Sequence, residues 1–278
     1  MAFLKTTYSS FARRPFLIIY IAVLSLLYSI FQIFNPLIGI LQNLGAINSD
    51  SWTDSLVYIS KELYTIGNIA LILPIAGIVA AILGLISGVL ASGFMNMYYE
   101  TLRGSREKTV DLILGGIKNG FLKVSFIFLE FYLSIMALIL LIPITSVPAI
   151  IIAQKTIENG NSNIFTTRIL AIMTVAVMFS ALALIVMSFI FRFPSVFYFP
   201  KRPIEKSKNV VSTSFWRYFG AVCLLTALIL GNEFMLLGID SMALEFFIGW
   251  ITHTVLLAAV SAVSFTGYHM MLRRFKRD

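Results

Sequence analysis

The chain has 278 residues, of which 59% are hydrophobic and 12% charged, with a formal charge of +8. A soluble chain of this length needs far more charge to cover its surface, so an ordinary globular fold in water is excluded. Its one cysteine, Cys223, excludes an internal disulfide and a cysteine-built metal cluster, and reads as a small apolar filler.

Six apolar stretches follow in chain order at 15–49, 63–99, 131–154, 169–191, 218–239 and 246–272, charged only at Glu233. A helix rising 1.5 Å per residue crosses about 30 Å of hydrocarbon in roughly 20 residues. The expectation is one all-α integral membrane domain over 1–278, with six spans at about 15–40, 66–97, 125–152, 168–192, 217–239 and 246–271.

The first stretch has the basic start of a signal peptide but is too long and lacks a small-residue cleavage site, so it reads as a retained helix. The second could be a hairpin of two spans, but that would move every later basic loop to the wrong face. It is therefore expected to be one long, tilted or kinked helix. It carries Gly77, Ala81, Gly84, Gly88 and Ser92 on one face, a stripe that lets another backbone approach. Packing within the monomer is the first reading, and an oligomer or partner contact the second. Pro36, Pro74, Pro143 and Pro148 fall toward the outer ends of the first three spans, where kinks are expected.

Lysine and arginine alternate between the two sides of these spans. Lys5, Arg13 and Arg14 precede the first; Arg103, Arg106, Lys108, Lys118 and Lys123 join the second to the third. Arg192, Lys201, Arg202, Lys206, Lys208 and Arg217 join the fourth to the fifth, and Arg273, Arg274, Lys276 and Arg277 follow the sixth. Only Lys61, Lys155 and Arg168 remain for the other side, in short outer loops at about 43–62, 155–168 and 240–245. Positive loops are retained in the cytoplasm, so both termini are expected there. Arg103, Arg106, Lys108, Lys201, Arg202, Lys206 and Lys208 are the expected contacts to anionic lipid, which attracts each at about 1 kcal/mol; nucleic acid is not an expected partner.

Both central basic loops read as amphipathic surface helices. Val110, Ile113, Leu114, Ile117 and Phe121 recur at helical spacing in the first, although Gly115 and Gly116 weaken it. Ile204, Val211, Phe215 and Tyr218 form a thinner stripe in the second, with Pro203 suited to the first turn. The loops share a plan, from Tyr98, Tyr99 and Arg103 to Phe121 and Lys123, and from Tyr198, Phe199 and Arg202 to Trp216 and Arg217. Tyr98-x-x-x-Leu102-Arg103 recurs as Tyr268-x-x-x-Leu272-Arg273, which suggests duplicated hairpins.

The run from Tyr98 to Gly104, the segment DLILGGIKNG and the segment FYFPKRPIEKSKNVVSTSFW resemble a group of prokaryotic membrane families that includes the membrane domain found beside glycerophosphodiester phosphodiesterases. The resemblance covers roughly residues 65–225. It implies a shared fold; the phosphodiesterase catalytic domain is not in the chain, which leaves that activity without support.

Charges inside spans are costly and mark candidate sites. Glu130 and Arg192 are expected to pair, as a fold-locking ion pair first, a substrate or proton site second, or to snorkel apart. Glu233 and His253 form a second candidate pair, structural or able to relay protons. Asn68, Asn96 and Asn232 are expected to hydrogen-bond between helices. His253 and His269 are the only histidines, and Leu90-Ala91-Ser92-Gly93 lacks the first glycine of an intramembrane serine-protease motif. No catalytic, cofactor or metal site is therefore expected. The reading is a non-enzymatic membrane scaffold or accessory subunit that contacts anionic lipid and a membrane partner or a second copy; its rival is a small-molecule permease or the membrane subunit of an exporter.

Overall fold

The computed structural model describes residues 2–33, 66–158, 164–239 and 241–275, which are helical with short turns and contain no strand. The helices are α1 (Ala2–Arg13), α2 (Phe16–Ile33), α3 (Ile66–Arg103), α4 (Thr109–Glu158), α5 (Ile164–Ile190), α6 (Arg192–Tyr198), α7 (Pro203–Leu237) and α8 (Met242–Ser261). A π-helical turn, Ala262–Thr266, then leads into α9 (Gly267–Phe275). Among the described residues five segments are long and apolar enough to cross a membrane, and a sixth when α1 and α2 are taken as one bent span. Ile78, Ile82 and Ile86 on α3, Leu224 and Leu228 on α7, and Ile251 and Val255 on α8 all point outward and are exposed. Water does not tolerate so much contiguous apolar surface, whereas lipid does. The chain is a multi-pass membrane protein.

α1 meets α2 at 90°, at Arg14 and Pro15. The sequence reading has no helix before residue 15, because α1 is short and polar on one side. Its Ser10 is buried, Phe11 stands edge-on to Tyr98 at 5.7 Å, and Leu4 and Tyr8 face outward.

Among the described residues the most extensive helix contact is between α3 and α4. A Cβ on Gly84 would lie 3.1 Å from the backbone of Ser125 and Leu129, one on Gly88 would overlap the Ser125 hydroxyl, and one on Gly116 would lie 2.5 Å from the Ser92 carbonyl oxygen. The backbones touch because side chains are missing on both sides. This corrects the first surface helix. Residues 110–121 are the opening turns of α4, which at roughly 1.5 Å per residue is far longer than a bilayer is thick. Their inner face is Leu112, Gly116, Gly120 and Val124, while Val110 and Leu114 of the expected stripe point outward. Gly116, read as a weakness, is the point of contact. The second surface helix is likewise the start of α7, whose inner positions are Ser207 and Val210.

The helix containing the fourth span breaks at Phe191 before the short α6. Pro194 has no N–H to give the Ile190 carbonyl, and the Ser264 hydroxyl from the π turn donates to that oxygen at 2.6 Å instead. The helices continue through Pro74, Pro143 and Pro148, and Pro36 lies outside the described residues.

Candidate functional site

Four basic segments gather at one end of the bundle. Arg14 Nη2 donates to the carbonyls of Ser105 and Glu107, at 2.8 and 3.0 Å, and ties the α1–α2 elbow to the α3–α4 turn. That turn is closed by Gly104 at φ +80, with Gly104 N–H on the Thr101 carbonyl and Ser105 N–H on the Glu100 carbonyl. This is the left-handed helix end that glycine favours. Lys123 Nζ donates to the Pro200 carbonyl at 2.9 Å, Tyr99 stands edge-on to Tyr198 at 4.6 Å, and Tyr198 shares a 2.6 Å hydrogen bond with His269 Nδ1. Tyr198 also packs against Tyr268, at 5.5 Å between rings. The stretches 98–104, 111–120 and 197–216 therefore meet at this end.

Between elbow and turn lies a groove of about 800 Å³, whose walls hold Arg13, Arg14, Arg106 and Lys108 against the single carboxylate of Glu107. Lys108 is the last residue before α4, so unpaired N–H groups of that helix add positive potential. Arg103 is less available, since its guanidinium donates to Tyr99 Oη at 2.9 Å and lies 3.6 Å from Glu100. Lys201, Arg202, Lys206 and Lys208 are exposed near the start of α7, with Arg202 3.5 Å from Glu205.

Glu130 and Arg192 are in contact. Arg192 Nη1 donates to Glu130 Oε2 at 2.7 Å, Nη2 donates to Ser188 Oγ at 3.1 Å, and the guanidinium covers the Phe189 ring at 4.4 Å. The pair borders an open groove of about 550 Å³ with Ser134 and Ser188 in its walls.

Glu233 and His253 are also in contact, within a network that spans three helices. His253 Nε2 lies 3.0 Å from Glu233 Oε1, its Nδ1 3.3 Å from Ser29 Oγ, and Gln32 Nε2 donates to Glu233 Oε2 at 2.5 Å. A neutral ring with its proton on Nε2 donates to Glu233 and accepts from Ser29, which satisfies both nitrogens. Asn232 Nδ2 is placed 3.2 Å from the same Nε2. Two donors cannot bond, so in that tautomer Asn232 turns its amide oxygen to the ring. Ser29 and Gln32 were not singled out in the sequence; they are one turn apart on α2, the only signal that they share a face.

Ser92 is fully buried at the α3–α4 contact, Ala81 is half-buried, and Gly77 has open space where a Cβ would be. Asn96 Nδ2 donates to the Leu112 carbonyl at 2.7 Å; the Asn68 side chain lies outside the described residues. A cavity of about 370 Å³ opens between α3, α4, α5, α8 and the π turn, lined by phenylalanines of which Phe94, Phe189 and Phe265 are buried. No family model, curated protein or solved structure matches the chain.

Proposed function

We propose that this chain is a non-enzymatic membrane scaffold or accessory subunit with six spans and cytoplasmic termini, held to anionic lipid by its basic end and engaged with a further membrane component. The observation that carries it is the groove between the elbow and the α3–α4 turn, where Arg13, Arg14, Arg106 and Lys108 converge from segments some 90 residues apart. The positive-inside rule supports the orientation, since the described basic loops gather at one end. The likeness to the membrane domain beside glycerophosphodiester phosphodiesterases belongs to the same proposal, as a shared fold.

Gentle extraction followed by native mass spectrometry tests it. The expected result is the chain with bound anionic phospholipid and a stoichiometric second membrane protein. A chain that comes out alone, and binds phosphatidylcholine and phosphatidylglycerol alike, would overturn it.

A second reading, a permease for a small amphiphile, is favoured by one feature: Phe189 lines both the central apolar cavity and the groove at Glu130 and Arg192. Glu130→Gln and Glu233→Gln separate the two. A scaffold keeps its partner with either substitution, whereas a gradient-coupled carrier loses transport while remaining inserted and folded.

A further inference from the structure

We infer that the central cavity is a binding site for one acyl chain of an amphiphilic lipid, whose polar head stands at the Glu130–Arg192 groove. The inference rests on the cavity itself and holds whether the chain is scaffold or carrier.

Water is a poor occupant. Three serines are the polar side chains in the wall, and two are already engaged: Ser87 shares a 2.7 Å hydrogen bond with Tyr132, and Ser264 donates to the Ile190 carbonyl. Ser261 alone does not supply the two to four partners that a buried water requires. The remaining wall is aliphatic and aromatic, so the occupant must be apolar, and about 370 Å³ falls within the range of ligand-sized pockets.

Polarity changes at one residue. Phe189 closes the cavity on one side and forms the wall of the neighbouring groove on the other, under the Arg192 guanidinium. Beyond it stand Glu130, Ser134 and Ser188, a cluster of donors and acceptors beside a space that has almost none. A molecule that fits both spaces has an apolar chain and a polar end. The bilayer supplies such molecules at high concentration, and the walls come from helices on several sides of the cavity, unlike the outer surface that a single helix face presents.

The test uses the full chain in liposomes and a long-chain fatty acid carrying a diazirine at mid-chain, with cross-linked residues mapped by mass spectrometry. Labelling is expected at Phe94, Leu257 and Phe265 inside, and at outward-facing Ile86 and Phe126. Ala91→Phe, which fills the cavity from α3, should reduce inner labelling by about tenfold, equal to 1.4 kcal/mol, and leave outer labelling unchanged. Ser261→Leu fills it from α8 and should act alike, and unchanged outer labelling certifies that each variant is inserted. Inner labelling that is absent, or that neither filler reduces, would overturn the site. Unlabelled fatty acid should compete better than an alkane of equal length; equal competition would overturn the placement of the head group.

Discussion

The contact between α3 and α4 and the contact joining α2, α7 and α8 hold the bundle in opposite ways. The first is made by absent side chains: Gly84, Gly88 and Gly116 let the backbones meet, so attraction comes from dispersion over a close, continuous surface. The second is made by present ones, with Ser29, Gln32, Asn232, Glu233 and His253 bonded across three helices and the Trp250 indole donating to the Ala22 carbonyl at 2.9 Å. A seam of small residues is more vulnerable to added volume than to lost polarity, even with Asn96 and Ser87 each hydrogen-bonded across it at 2.7 Å. A hydrogen-bonded seam is the reverse.

The largest expected effect breaks the first seam. Gly88→Leu places a branched side chain where even a Cβ overlaps Ser125, and should destabilise the protein by about 3 kcal/mol or more, read as a lower thermal midpoint in nanodiscs. A midpoint within error of the parent would mean that α3 and α4 separate without penalty. Next comes His253→Ala, which removes the centre of the polar seam. The loss should be about 1–2 kcal/mol, smaller than in a dry soluble core because intramembrane hydrogen bonds average well under that. His253→Gln, which keeps a donor, should recover part of it; no recovery would assign the ring a packing role only.

The Glu130–Arg192 pair is predicted to matter less for stability. Glu130 is about a third exposed and Arg192 is also held by Ser188, so a double-mutant cycle with Glu130→Gln and Arg192→Gln should give a coupling of about 1 kcal/mol or less. A larger coupling would place this pair with the buried polar seam. The smallest effect sharpens the contrast within α3 itself. Gly77 shares the stripe of Gly84 and Gly88 but has open space beyond it, so Gly77→Ala should change stability by no more than about 1 kcal/mol, in the stabilising direction. Destabilisation there would reveal a partner seated on the Gly77 end of the stripe.

Much of the all-helical, membrane-spanning character was legible because lipid solvates apolar side chains directly, so each span must carry its own long uncharged run. The junctions were less legible. The 110–121 segment has an apolar stripe and two glycines, which in water reads as a weak surface helix; only the position of α3 reveals that Gly116 faces inward while Val110 and Leu114 of the stripe point outward. α1 was not legible because twelve residues of mixed polarity carry no span signal, and the Tyr98 ring that its Phe11 meets is far away in the chain. The π turn has no signature of its own, and becomes intelligible when Ser264 meets the carbonyl that Pro194 left unpaired.

For the candidate sites, charge inside an apolar run was enough to single out Glu130, Arg192, Glu233 and His253, since a lone ionisable group in hydrocarbon must find a partner. Which partner, and whether one contact or a network, depended on helix order and rotation, as Ser29 and Gln32 show. The sequence by itself determined the solvent, the helical class and the separation of basic from apolar segments, because these follow from local composition and transfer energy. Tertiary structure alone decided that Arg13 and Arg14 share a groove with Arg106 and Lys108, that Gly116 rests on Ser92, and that an apolar cavity lies beside the Glu130–Arg192 pair. Each is a contact between segments far apart in the chain, and no period or composition within one segment encodes the direction from which another arrives.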